Sequence, residues 1–287
     1  MFVAGGYNDD FGPRPDVEVI DFSGQGLTCT TPAPLPYNVY ETSTLKTAEG
    51  NPLICGGQGH EYECREYIPE QDVWMARANL IYSRQYSPSV EIANNNYWIA
   101  GGFEIASTSE LYIAESASFV EGPSIPSDAR NTAPCAVRIS DDLSFYAGQG
   151  SYIYDWTTAT ATPTATPIPA EAYGSICGLA IASSGEMSIV VAGGDFGSVL
   201  VYIYDLTEET WREALNPLPF DLWLSSVVPF GDTFLAVGGL RADGQRDDRI
   251  LEYQPDDESW IVREERLSEP KSEMSVLFIS EDKVSCS

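Results

Sequence analysis

The sequence predicts an all-β protein assembled from six copies of one small antiparallel sheet, and three observations predict it. First, double glycines stand at Gly5 and Gly6, Gly56 and Gly57, Gly101 and Gly102, Gly193 and Gly194, and Gly238 and Gly239, with a degenerate copy at Gly148 and Gln149. Their second positions are 45 to 51 residues apart, a near-constant period of the kind that marks a repeat architecture. Second, a short run rich in β-branched and aromatic residues precedes each pair, as in NYWIAGG and FLAVGG. Third, each pair is followed by an alternating segment in which an aromatic or apolar residue is answered seven positions later by another. Helical periodicity is nearly absent.

The elements of one copy follow in order. An inner strand is expected at about 43–48, 87–92, 134–139, 176–182 and 224–229. The apolar run before each glycine pair is the second strand. Glycine reaches positive φ without a Cβ penalty, so a pair of them closes that strand and lets another backbone approach. Segments such as VEVIDF, ECREYI, SELYI, VYIYD and ILEYQ alternate polar with apolar residues, as half-buried third strands do. Tyr67 with Trp74, Tyr204 with Trp211, and Tyr253 with Trp260 then flank a polar turn and can pack on one side of a hairpin. Looser copies are Tyr112 with Phe119, Ile20 with Leu27, and Tyr154 with Ala161. The fourth copy is expected to be the least regular.

Hydrophobic strand, double glycine, Tyr, six residues and Trp, at this period, resembles the Kelch repeat. The resemblance covers essentially the whole chain and implies a six-bladed β-propeller over residues 1–287, a single domain without a BTB-like or F-box-like extension. The chain begins on what is normally a blade's second strand, and a sixth apolar run, MSVLFIS at 274–280, has no glycine strand after it. Placed in blade 1, that run closes the ring beside three N-terminal strands and removes two open sheet edges.

Charge narrows the partners. Asp and Glu number 43 against 15 Lys and Arg, a formal net charge of −28, and such a surface repels nucleic acid and anionic membranes. No apolar run is long enough to span a bilayer as a helix, and no basic-then-apolar leader pattern opens the sequence. The acidic clusters at Asn8 to Asp10, Asp141 with Asp142, and Asp256 to Glu258 lack calcium-loop spacing, so no metal site is expected, nor any cofactor. Of six cysteines, Cys55 and Cys64 could face each other across a hairpin and form a disulfide; Cys29 with Cys286 is a second candidate, whereas Cys135 and Cys177 are expected as buried thiols. The cysteine-bearing stretches LTCTTPAPLPY, LICGG and YECREY resemble those of secreted invertebrate Kelch-type proteins. That implies an extracellular, oxidising compartment, with the cytoplasm as the alternative.

Catalytic patterns are missing. The single histidine, His60 in QGHEY, is read as an exposed loop residue. A copper site like that of galactose oxidase needs two histidines, no nucleophile elbow is present, and no glycine loop precedes a helix to cradle phosphate. The expected function is therefore non-enzymatic: a protein-interaction module binding a protein or peptide partner on a loop face, with a carbohydrate-binding module as the alternative.

In Kelch propellers the loops between second and third strands share a face with those linking blades. Here these are 7–16, 58–62, 103–108, 195–199 and 240–249, and 34–40, 79–86, 124–131, 167–173 and 217–224. The rare cations and unclaimed aromatics gather in them: Arg14, Arg84, Arg130, Arg241, Arg246 and Arg249, with Tyr37, Tyr82, Tyr86, Tyr173, Phe220 and Trp223. Arg and aromatic side chains are common interface anchors, so this rim is expected to select an acidic peptide. Arg84 and Arg130 resemble arginines that some Kelch domains present there.

Overall fold

Apolar runs separated by short turns pair with their sequence neighbours, because a short connection permits only an antiparallel hairpin. The computed structural model describes residues 1–103, 105–129, 133–169, 172–194, 198–284 and 286. In it, five sheets of four strands follow one another in chain order and a further sheet joins the two chain ends, giving a six-bladed β-propeller. Inner strands lie at Ser43–Lys46, Ser89–Ile92, Cys135–Arg138, Ile176–Ile181, Ser226–Phe230 and Ser275–Leu277. The ring closes as expected: Ser275–Leu277 pairs with Phe2–Ala4, Val276 opposite Val3, and Phe2–Ala4 pairs on its other side with Val17–Val19.

Each glycine pair ends its strand for a reason visible in the next loop. The Gly57 amide donates to the Arg84 carbonyl at 2.8 Å, and a Cβ on Gly56 would stand 2.6 Å from that same oxygen. Both glycines are left-handed, with φ of 71° and 95°. The chain thus turns where it is pressed against the link to the following blade, and only glycine fits. The same bond recurs from Gly6 to Val39, Gly194 to Leu222 and Gly239 to Lys271. In blade 6 the strand Thr233–Leu240 nonetheless runs on through the pair, with a register shift between Val237 and Gly239.

Among the described residues the apolar core is six clusters, one between each pair of neighbouring blades. The second strands are therefore buried on both faces, which is why they read as continuous apolar runs. The seven-residue pairs stand directly opposite each other: Tyr67 with Trp74, Tyr112 with Phe119, Tyr204 with Trp211 and Tyr253 with Trp260, at ring separations of 5.1 to 5.4 Å. Blade 4 is regular, contrary to expectation. Its Ala161 faces Tyr154, but Trp156 stacks on Tyr154 at 5.9 Å and meets Trp98 edge-on at 5.3 Å, supplying the missing ring.

Blade 1 is the irregular one. Two of the three N-terminal strands expected there join its sheet. The third would fall near Leu27, but Asp21 accepts the amides of Ser23 at 2.8 Å and Leu27 at 2.9 Å, folding the segment into a turn of its own. Without an aromatic at Ile20 or Leu27, nothing holds an outer strand in place.

Three disulfides are present. Cys55 and Cys64 are register partners with Cα atoms 4.1 Å apart, as the hairpin predicts, and Cys29 joins Cys286 across 257 residues. Cys135 and Cys177 are also bridged, a correction to the reading as thiols. They occupy equivalent places on adjacent inner strands, and inner strands converge on the axis, bringing these Cα atoms to 5.9 Å. Such a set suits an oxidising environment. No helix among the described residues is long and apolar enough to cross a membrane.

Candidate functional site: the channel mouth

The links between blades converge on the axis and form a collar there. The Tyr86 amide donates to Glu41 O at 3.0 Å, Glu41 to Glu273 O at 3.0 Å, Glu273 to Leu224 O at 3.2 Å, Leu224 to Gly174 O at 2.8 Å and Gly174 to Ala133 O at 3.0 Å. The five donors share a left-handed backbone, with φ from 53° to 62°. Four of them are not glycine, a strained choice that recurs because the collar bonds require it. Behind the collar a channel of about 640 Å3 runs along the inner strands.

The mouth is lopsided. Gly174, Leu224 and Ala133 make one side small and apolar; Glu41, Tyr86 and Glu273 make the other polar. The Tyr86 hydroxyl donates to Glu273 Oε1 at 2.6 Å, and Ser272 Oγ donates to Glu273 Oε2 at 2.8 Å. Arg246 donates through Nε to Ser272 Oγ at 2.9 Å, pairs with Asp9, and lies 4.1 Å from the Tyr7 ring. Glu41 is buried and forms no ion pair among the described residues. Burial, reinforced by the nearby Glu273 charge and opposed by the Tyr86 hydroxyl, pushes its carboxyl up to about 7. Burial likewise raises Tyr40 to about 12 and lifts Tyr86 well above the usual phenol range. The arrangement can accept a cationic or hydrogen-bond-donating group against carboxylates on one side and an apolar group on the other.

The residues singled out in the sequence are placed as follows. Tyr86 lines the mouth, and Tyr173 and Trp223 stand one residue before collar positions, their rings 6.3 Å apart. Trp223 is buried and its backbone bridges to Leu240. Tyr37 is half-buried and stacks on His60 at 3.6 Å; the His60 ring also contacts Glu63, so this histidine is an integrated loop residue and not an exposed one. Tyr82 donates to Glu121 at 3.2 Å, and Phe220 lies under Arg249 at 3.5 Å. Arg130 lies outside the described residues.

Among the described residues the basic rim does not materialise, because Arg14, Arg84, Arg241, Arg246 and Arg249 each meet an acid of their own chain. Arg14 pairs with Asp16 and Glu269, Arg241 lies 3.8 Å from Asp243, and Arg249 pairs with Asp247. Arg84 is the sharpest correction. It is 1 % exposed, pairs with the equally buried Glu110, and donates to Gly101 O at 2.9 Å. Glu110 stands two residues before Tyr112 of blade 3, so the pair bolts the link from blade 2 onto blade 3. Lys271 and Glu18, at 3.3 Å, repeat the bolt between blades 6 and 1.

Sequence reasoning missed Glu41 and Glu273. A signal was there for Glu41: it stands before Thr42 as Tyr86, Gly174 and Leu224 stand before Ser87, Ser175 and Ser225, a place just ahead of each inner strand that repeats with the blade, whereas Glu273 precedes Met274 and lacks that mark.

No family model matches the sequence, and no curated protein sequence matches it. Among solved structures, one described as "Structure of YjhT" superposes with a TM-score of 0.71 at 12% identity, covering 91% of this chain and 97% of that one. At that identity the likeness shows the propeller fold alone.

Proposed function

We propose that this chain is a non-enzymatic, secreted interaction module of Kelch type that binds a segment of a partner protein at the channel mouth. The observation that carries this reading is the collar: five links from different blades place Glu41, Tyr86 and Glu273 opposite Leu224 in one opening. Propellers commonly serve as such scaffolds, with loops on a rigid ring supplying the contacts. The mouth favours a basic partner side chain over the acidic peptide expected from the sequence: the described arginines of the face already meet acids of their own chain, whereas Glu41, its carboxyl raised to about 7 by burial, ionises more readily when a cation comes beside it. The test is crosslinking in the native secretion, comparing the wild type with Tyr86→Ala and Leu224→Arg. A partner captured by the wild type and lost by both variants supports the reading; capture unchanged in both sinks it.

A carbohydrate ligand is the second reading, favoured by exposed rings at Phe11, Tyr62 and Phe103, all in the loops after second strands. Exposed aromatic rings stack on sugar faces as readily as on protein. A glycan array without hits at these loops dismisses it.

A further inference from the structure

Among the described residues blade 1 stops at three strands, and its outermost strand, Val17–Val19, pairs with Phe2–Ala4 alone. The ends of that ladder fix its parity. Met1 and Ile20 exchange bonds at 2.7 and 2.8 Å, and the Gly5 amide donates to Asp16 O at 3.0 Å. Bonded pairs alternate along an antiparallel ladder, so Asp16, Glu18 and Ile20 face inward, while Val17 and Val19 turn N–H and C=O outward. Beside this edge lies a cavity of about 940 Å3 lined by Val19, Ile20, Phe22, Leu27, Tyr67 and Phe278.

In four other blades the equivalent place holds an outer strand whose ring packs on the tyrosine: Trp74, Phe119, Trp211 and Trp260. The chain's own candidate, residues 26–29, is held away from it, Leu27 by its bond to Asp21 and Cys29 by its disulfide to Cys286.

We propose that the outer edge of blade 1 is a strand-addition site for an extended, basic segment of a partner protein, whose backbone pairs with Val17 and Val19 while an apolar side chain fills the cavity beside Ile20. Outward amides and carbonyls call for an extended chain, since only that conformation matches their spacing. Charge selects its composition: the cavity carries Asp21, Glu70, Asp72 and Glu281 against Lys283. A second copy of this chain, with a net charge of −28, would bring like charge to the same edge.

The test uses the full disulfide-bonded chain and a synthetic peptide, KVWMARK, built on the outer strand Val73–Ala76 with added lysines. Expected are saturable binding, slowed amide exchange at Val17 and Val19, and affinity about tenfold or more above that of the acidic analogue EVWMAEE. Val19→Pro removes an amide that has no partner among the described residues and should abolish binding. Should that variant misfold, the same peptide N-methylated at alternate amides must fail to bind the unaltered protein. The proposal is overturned by absence of saturable binding, by equal binding of the acidic or N-methylated peptide, or by Val17 and Val19 amides already protected in the free protein. Tyr86→Ala should bind KVWMARK normally, so failure here leaves the channel-mouth reading intact.

Discussion

Blades 6 and 1 sit side by side and are built in opposite ways. Blade 6 is one continuous stretch whose strands, Ser226–Phe230, Thr233–Leu240, Arg246–Gln254 and Ser259–Arg266, run five, eight, nine and eight residues and are held by short turns and the Tyr253–Trp260 ring pair. Blade 1 has three strands of three residues each, gathered from opposite ends of the chain, and no counterpart of the Tyr253–Trp260 pair among the described residues. Local hairpins close small loops and lose little chain entropy, whereas blade 1 can form only when the whole ring has been drawn together. Long-range bonds compensate: the Cys29–Cys286 disulfide, the Lys271–Glu18 bolt and the Met1 amino group on Ile20.

The comparison can be broken at its covalent link first. Replacing Cys286 by Ser should lower stability by about 5 kcal/mol, because the bridge constrains a loop of 257 residues, against about 2 to 3 kcal/mol for Cys64→Ser with its loop of nine; urea denaturation of each variant measures the difference. Equal losses would mean that ring closure does not depend on the tail.

The next largest effect compares the bolts. Arg84→Ala strands Glu110, whose side chain is fully buried, and should cost about 3 to 5 kcal/mol. Lys271→Ala leaves Glu18, which reaches solvent, and should cost about 2 kcal/mol, read by the same denaturation curves.

A third test exploits pH at the collar, where the link from blade 1 to blade 2 contributes Glu41. Glu41 has its carboxyl raised from 4.5 to about 7, so its native state holds a proton that the unfolded state has released. Its contribution is full below pH 4.5 and disappears as pH rises through 7, a fall of about 3 kcal/mol between pH 4 and pH 8. Glu41→Gln should remove that part of the slope and be more stable than the wild type at pH 8, as thermal melts across the range would show. The smallest effect is expected at Arg241, half-exposed and 3.8 Å from Asp243: Arg241→Ala should change stability by less than about 1 kcal/mol. A loss as large as that of Arg84→Ala would erase the distinction between bolt and surface pair.

Much of the fold was legible because its signals are local. Gly56 and Gly57 mark the turn by lacking side chains, and Tyr67 and Trp74 mark a hairpin by their spacing. The candidate site was less legible. Arg84 and Arg241 look alike in sequence, each an arginine in a loop of the same face, yet one is sealed between blades and the other is half in water. Glu41 and Glu273 attract no notice among 43 acids until the collar brings them together. Trp156 illustrates the same limit, since it fills the space left at Ala161 from a position outside the repeat pattern.

Sequence by itself determined the six blades, their order and the use of the C-terminal run to complete blade 1, because alternation, glycine pairs and ring spacing act within a few residues of one another. Only the tertiary structure decided which cations are buried, that Cys135 meets Cys177, that blade 1 lacks an outer strand and that the channel mouth is acidic. Those outcomes depend on desolvation and on distances between residues remote along the chain, quantities set when the blades pack.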